Sequence, residues 1–169
     1  MHQPLAFSLP NVSRRTYCTQ LVRSFTGVLA LAHSQVEAAP ALLPASVSLQ
    51  DELENALKVK EPLIVMASLA GCPYCRMARN SYLGPMQKQG FPIVQVDMRS
   101  DLQVKGFTGQ IQTHDQLIKQ WRVSIAPTLL FFGPKGQELV ERMEGGYLPD
   151  FYGTYLDERI AMARRALRA

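Results

Sequence analysis

Strong charge, long polar tracts and long apolar runs are all missing from this 169-residue chain. The formal net charge is only +4, and three arginines and one glutamate before residue 39 supply half of it. From Ala39 onward, 15 Lys and Arg stand against 13 Asp and Glu, a balance of +2 that is too mild to argue for nucleic acid. Four late arginines, Arg159, Arg164, Arg165 and Arg168, read as the solvated face of a terminal helix. The lack of a long polar tract excludes a largely disordered chain. A hydrophobic content of 47% over this length fits one domain with a real core plus an extension. No internal repeat is apparent. The apolar run Phe25 to Ala32 is too short to span a bilayer, which needs about twenty residues. Cysteine is scarce as well: Cys18, Cys72 and Cys75 make an odd count, awkward in an oxidising compartment unless Cys18 is removed before the protein matures.

The N-terminus offers a way to remove it. Residues 1–36 hold no acidic residue, carry Arg14, Arg15 and Arg23, and lead into Phe25–Ala32 and then the small-residue site Val36-Glu37-Ala38. A positive start, a short apolar run and a small-residue site are the parts of a secretory signal peptide, with cleavage expected after Ala38 or alternatively Ala41. Ser13-Arg14-Arg15-Thr16-Tyr17 also resembles a twin-arginine export signal, with Cys18-Thr19 in place of the usual leucine-lysine ending. A disordered basic tail and an organellar transit peptide are the other readings. The expected division is an export signal over 1–38, a proline-containing lead-in over 39–47 and one domain over 48–169. The expected location is the periplasm, with the secretory or twin-arginine route undecided.

Ser48 reads as the N-cap of a helix whose Leu49, Leu53, Ala56 and Leu57 share one face and which Pro62 ends. Leu63 to Leu69 suits a strand covered on both faces. Gly71-Cys72-Pro73-Tyr74-Cys75 follows at once, opening a helix to about Leu83 that Gly84-Pro85 should break or kink. A second helical piece over Met86–Gln89, a strand over Phe91–Asp97 and a loop around Gly106 and Gly109 come next. His114–Trp121 is a short helix with Leu117, Ile118 and Trp121 inward. Thr128–Phe132 is a buried strand, Gly133–Gly136 a turn, and Glu138–Glu144 its partner strand. A final helix to about Leu167 should pack through Phe151, Tyr155, Ile160 and Ala163.

Three landmarks carry a family resemblance: a strand leading into Cys-x-x-Cys at a helix start, Ala126-Pro127-Thr128 opening a strand, and Gly145-Gly146-Tyr147 after a hairpin. The run Val123-x-x-x-Pro127-Thr128-Leu-x-Phe-Phe132-x-x-x-Gly136 is more diagnostic than Cys-x-x-Cys alone, which also occurs in zinc sites and metallochaperones. Over residues 48–165 the chain resembles the thioredoxin-like thiol–disulfide oxidoreductases, and its kinked helix and extended loop before Trp121 resemble the exported members. The resemblance implies an α/β fold with a mixed sheet of about four strands flanked by helices. It also implies a cis proline at Pro127, against the alternative of an ordinary trans proline. Two features depart from the family. Pro73-Tyr74 is the dipeptide of glutaredoxins, and Met66 stands where thioredoxins bury an aspartate that assists proton transfer.

On this resemblance Cys72 is the N-cap and Pro73 the first helical residue, where a missing N–H costs nothing. Helix N–H groups and the positive dipole end favour a thiolate there, so Cys72 is the expected nucleophile. Cys75, further in, is the expected resolving cysteine. Ala126, Pro127, Pro73 and Tyr74 are the expected substrate-binding residues. Arg76 and Arg79 either add positive potential or are solvated helix charges. A structural disulfide is disfavoured because so tight a loop adds little constraint. Zinc would want two more ligands besides the cysteines, and the chain offers only His114, with His33 if uncleaved, too few for a closed site. Cu(I) held by the two thiolates with Met66 or Met77 is the serious rival, although such methionines are more often core. Trp121 and His114 read as packing and surface residues before substrate contacts.

The resulting expectation is a monomeric periplasmic oxidoreductase that exchanges disulfides with protein cysteines and uses no bound cofactor. Its direction is read as reduction, with a membrane electron carrier restoring the dithiol. A disulfide-forming oxidase and a copper-binding or chaperone module are the alternatives, because potentials in this fold span about 150 mV, about 7 kcal/mol.

Overall fold

The computed structural model describes residues 43–146 and 149–169. The expected export signal, its cleavage sites, Cys18 and Tyr147 lie outside the described residues. Helix α1 (Leu49–Lys58) begins as the sequence implies, with Ser48 Oγ accepting from the Asp51 N–H at 3.3 Å. It ends earlier than the expected stop at Pro62. Lys60 adopts a left-handed conformation (φ 60°), and its N–H and that of Glu61 return to the carbonyls of Leu57 and Ala56. This pairing closes the helix locally, so the proline is not what stops it.

Strand β1 (Leu63–Ser68) is buried at every position. It runs parallel to β2 (Ile93–Asp97) and antiparallel to β5 (Thr128–Phe132). The short β6 (Met143–Glu144) completes a four-stranded sheet in the order β2-β1-β5-β6. Between β1 and β2 the chain forms α2 (Pro73–Ala78), a π-helical stretch (Arg79–Leu83) and α3 (Gly84–Lys88). The backbone stays right-handed helical through Gly84, so the expected break is a widened turn that lets Pro85 follow without its missing N–H ending the helix.

Alternation along the strands sorts the core into two layers. Ile64, Met66, Ile93, Leu129 and Phe131 face one side and pack with Cys75, Ala78 and Leu83 and with Tyr152, Leu156, Ile160 and Ala163 of α5 (Pro149–Arg168). Leu63, Val65, Val94, Leu130 and Phe132 face the other, against Leu49, Leu53 and Ala56 and against Leu117 and Ile118 of α4 (His114–Gln120). This is the α/β architecture with a mixed central sheet that the resemblance implies.

Four expectations need correction. The stretch around Gly106 and Gly109 is the turn of a hairpin, β3 (Gln103–Lys105) with β4 (Ile111–Thr113). The partner strand expected over Glu138–Glu144 is regular only at Met143–Glu144. Before it, Arg142 turns its guanidinium onto Glu138 and onto the Trp121 carbonyl, and the ladder is reduced to single contacts such as Leu139 N–H to Phe131 O at 2.8 Å. Phe151 and Tyr155 are 54% and 43% exposed, because the buried stripe of α5 runs Tyr152, Leu156, Ile160, Ala163, about a third of a turn away. The lead-in is part of the sheet edge: Ser46 N–H donates to Gln95 O at 2.8 Å and Gln95 N–H to Pro44 O at 2.9 Å.

Candidate active site

The end of β1 and the start of α2 place Cys72 where the sequence puts it. Its backbone is extended (φ −70°, ψ 117°), Pro73 opens the helix, and the Cys75 N–H donates to Cys72 Sγ at 3.1 Å. A sulfur that receives a helix N–H is a better seat for a thiolate than for a thiol. Cys72 and Cys75 are joined in a disulfide with their Cα atoms 5.3 Å apart. Cys75 is 1% exposed and lies in the core layer that holds Met66, whereas Cys72 is only partly covered.

Opposite Cys72 stands the loop before β5. The Ala126–Pro127 peptide is cis, and Ala126 O lies 3.7 Å from Cys72 Sγ. Thr128 Oγ1 donates to Ile125 O at 2.8 Å, and Gly145 N–H donates to Pro127 O at 2.7 Å. These bonds fix the loop against β6 and bring the Gly145-Gly146 landmark beside it. Gly145 takes the left-handed φ of 80° that favours glycine. A Cβ on Gly146 would meet the Tyr74 ring at 2.5 Å, so the tyrosine packs against this backbone while remaining 56% exposed. Cys72, Tyr74 and Ala126 therefore come together at one site, with Cys75 and Pro127 buried beneath it and Pro73 exposed at its edge.

The geometry adds a feature absent from the sequence reading. Arg79 does not simply extend into solvent: its Nε donates to Gln95 Oε1 and its Nη2 to Ser68 Oγ, both at 2.9 Å. Gln95 Nε2 donates in turn to Asp97 Oδ1 at 2.7 Å. Ser68 and Asp97 are register partners on β1 and β2, which no local pattern reveals. Arg76 remains an exposed helix charge. Met66 is fully buried, so the position of the family's acid is apolar here.

His114 is a correction. It is 0% exposed, and its Nδ1 accepts from the Asp97 N–H at 3.0 Å, so Nε2 donates to Ser46 O at 2.8 Å. Both ring nitrogens are occupied by backbone, which leaves neither for a metal or a substrate. Trp121 packs against Phe132, ring centroids 5.1 Å apart, and Phe107 in turn at 4.7 Å from Phe132. Among the described residues no three His, Cys, Asp or Glu side chains gather as metal ligands. None of the described helices is long and apolar enough to cross a membrane.

Residues 49–159 match the family model of the thioredoxin-like domain. This chain belongs to the thioredoxin-like family. Several solved structures share its course at low identity. The oxidoreductase DsbH is 19% identical, with 70% of this chain and 88% of that one covered and a TM-score of 0.49. Thioredoxin from Fasciola hepatica is 20% identical over 70% and 97% of the two chains, with a TM-score of 0.46. The periplasmic thioredoxin SoxS from Paracoccus pantotrophus, in its reduced form, is 21% identical over 61% and 99%, with a TM-score of 0.41. No curated protein matches the chain by sequence. Within the thioredoxin-like family the chain is a thiol–disulfide oxidoreductase in the general sense, and it carries the Cys72–Cys75 disulfide pair.

Proposed function

We propose that this protein is an exported, periplasmic protein-disulfide reductase, with Cys72 as the attacking and Cys75 as the resolving cysteine. One observation carries the assignment of roles: Cys72 Sγ accepts the Cys75 N–H in partial contact with solvent, while Cys75 is 1% exposed. A substrate disulfide can reach only the first sulfur. Attack by the Cys72 thiolate forms a mixed disulfide and releases one substrate thiolate. Attack by Cys75 on Cys72 Sγ then releases the second and closes the pair. Ala126 O and the flanking cis peptide offer backbone to an extended substrate segment, as an exposed strand edge does. Pro73 and Tyr74 border the same approach. The dithiol needs no other cofactor, and a membrane electron carrier restores it. Export is supported by the basic start, apolar run and small-residue site of residues 1–38.

Insulin reduction driven by dithiothreitol, together with the potential measured in a glutathione buffer, tests the direction. Turnover and a potential near the thioredoxin value of about −270 mV support reduction, whereas a value near about −120 mV would make the protein an oxidase. N-terminal sequencing of the exported protein should begin near Ala39, and an intact Met1 would contradict export. A Cys75→Ser variant should accumulate substrates as mixed disulfides with Cys72.

A further inference from the structure

A cavity of about 250 Å³ opens beside Cys72, and its wall includes neither Ala126 nor Pro127. Cys72, Arg76, Arg79, Ser68, Gln95 and Asp97 contribute to its lining. At about 30 Å³ per water it holds about eight waters, room for a small polar group and not for a packed side-chain cluster. Its charge is unbalanced. Arg79 is half-buried and bonded to two neutral acceptors, Gln95 Oε1 and Ser68 Oγ, and it joins none of the ion pairs among the described residues. Arg76 adds a second cation at the rim. The one carboxylate in the wall, Asp97, is already engaged by Gln95 Nε2 at 2.7 Å. A guanidinium oriented by neutral partners beside a reactive sulfur is arranged to receive an anion from outside the chain.

We propose that this cavity binds the carboxylate end of a low-molecular-weight thiol or disulfide whose sulfur reacts at Cys72. The proposal rests on the reading of Cys72 as the attacking cysteine and adds a second substrate class to it. With the carboxylate on Arg79 and Arg76, the adjacent sulfur is held at Cys72 Sγ. The Cys72 thiolate attacks one sulfur of RS–SR, a new Sγ–S bond forms, the old S–S bond breaks, and RS⁻ leaves and takes a proton from water. The Cys75 thiolate then attacks Cys72 Sγ and expels the second RS⁻, closing the protein disulfide. The small disulfide gains two electrons and the protein loses two. In reverse, two equivalents of the small thiol reduce the protein.

The test uses the full-length reduced protein and three small disulfides of different charge, 3,3′-dithiodipropionate, bis(2-hydroxyethyl) disulfide and cystamine, each rate being divided by the rate of the same disulfide with free 2-mercaptoethanol so that leaving-group acidity cancels. Loss of protein thiols is followed by quenched alkylation and mass spectrometry. The anionic disulfide should react about tenfold faster than the neutral one, as a charge-assisted hydrogen bond allows, and the cationic one should be slowest. Added salt should compress the order. Arg79→Gln should bring the anionic-to-neutral ratio down to about two, and Asp97→Asn should raise it, since removing the only wall carboxylate leaves the cations unopposed. The ratio cancels any change in the folded fraction or in the intrinsic reactivity of Cys72. A wild-type ratio near one, or an Arg79→Gln variant that slows all three disulfides equally, overturns the proposal. Insulin reduction by the same preparation reports the parent reading separately. Activity there without charge preference removes only the cavity's role, and inactivity toward insulin and all three disulfides removes both.

Discussion

Replacing His114 with leucine isolates a contact that holds the active-site end of β2 in place. The ring is fully buried and joins two backbone groups far apart in sequence, accepting from Asp97 N–H at 3.0 Å and donating to Ser46 O at 2.8 Å. Leucine has similar bulk and can do neither. The variant strands one part-buried donor and one buried acceptor, each costing up to about 1–3 kcal/mol. The summed loss is about 2–6 kcal/mol against a total stability of about 5–15 kcal/mol for such a domain. With a urea slope of about 2 kcal/mol/M, the unfolding midpoint should fall by about 1–3 M. Urea titration followed by both far-ultraviolet circular dichroism and Trp121 fluorescence measures this. His114→Gln, which keeps an acceptor and a donor on one amide, should recover part of the loss. A midpoint within about 0.3 M of wild type for His114→Leu would refute the reasoning, because it would mean that these backbone groups are satisfied without the ring.

Two further predictions concern the lead-in and the active-site surface. Burial raises the Glu52 carboxyl above its ordinary value of 4.5, opposed by the hydrogen bonds from Ser46 and the Val47 and Ser48 backbone. A raised acid favours folding most when protonated, so its contribution is complete below 4.5 and is lost as pH rises through the folded value. Glu52→Gln should therefore gain stability relative to wild type as pH rises above 4.5 in thermal melts, and a difference that stays flat or falls with pH contradicts the assignment. Gly146→Ala places a methyl at 2.5 Å from the Tyr74 ring, which is 56% exposed and can swing into solvent. Stability should change by less than about 1 kcal/mol while the rate of insulin reduction falls, and an unchanged rate would show that Tyr74 takes no part in substrate docking.

The elements that could be read from the sequence are those whose pattern is local. Leu63–Ser68 and Thr128–Phe132 announce themselves as buried strands because every residue is covered, and Ser48 and Pro73 mark helix starts by their own chemistry. The hairpin of β3 and β4 stayed hidden because only Val104 among its six residues is buried, so no alternation marks it. Phe151 and Tyr155 misled for the opposite reason: large apolar side chains attract an inward assignment, yet the helix phase is set by Tyr152 and Leu156. In the site, Cys72 and Cys75 and the Ala126-Pro127 loop were legible from motifs, whereas their facing each other across 3.7 Å is tertiary. The chain Arg79–Gln95–Asp97 depends on the register of β1 with β2, and the clamp of His114 on residues 46 and 97 spans 68 positions to Ser46. Neither leaves a trace in spacing.

The central claim, that Cys72 is the activated sulfur and Cys75 its shielded partner, is tested most directly by alkylating the reduced protein with limiting iodoacetamide across pH. Peptide mapping should place nearly all label on Cys72, with a rate whose midpoint lies below the free-thiol value of about 8.5. Equal labelling of both cysteines, or a Cys72 midpoint at or above that value, would contradict it.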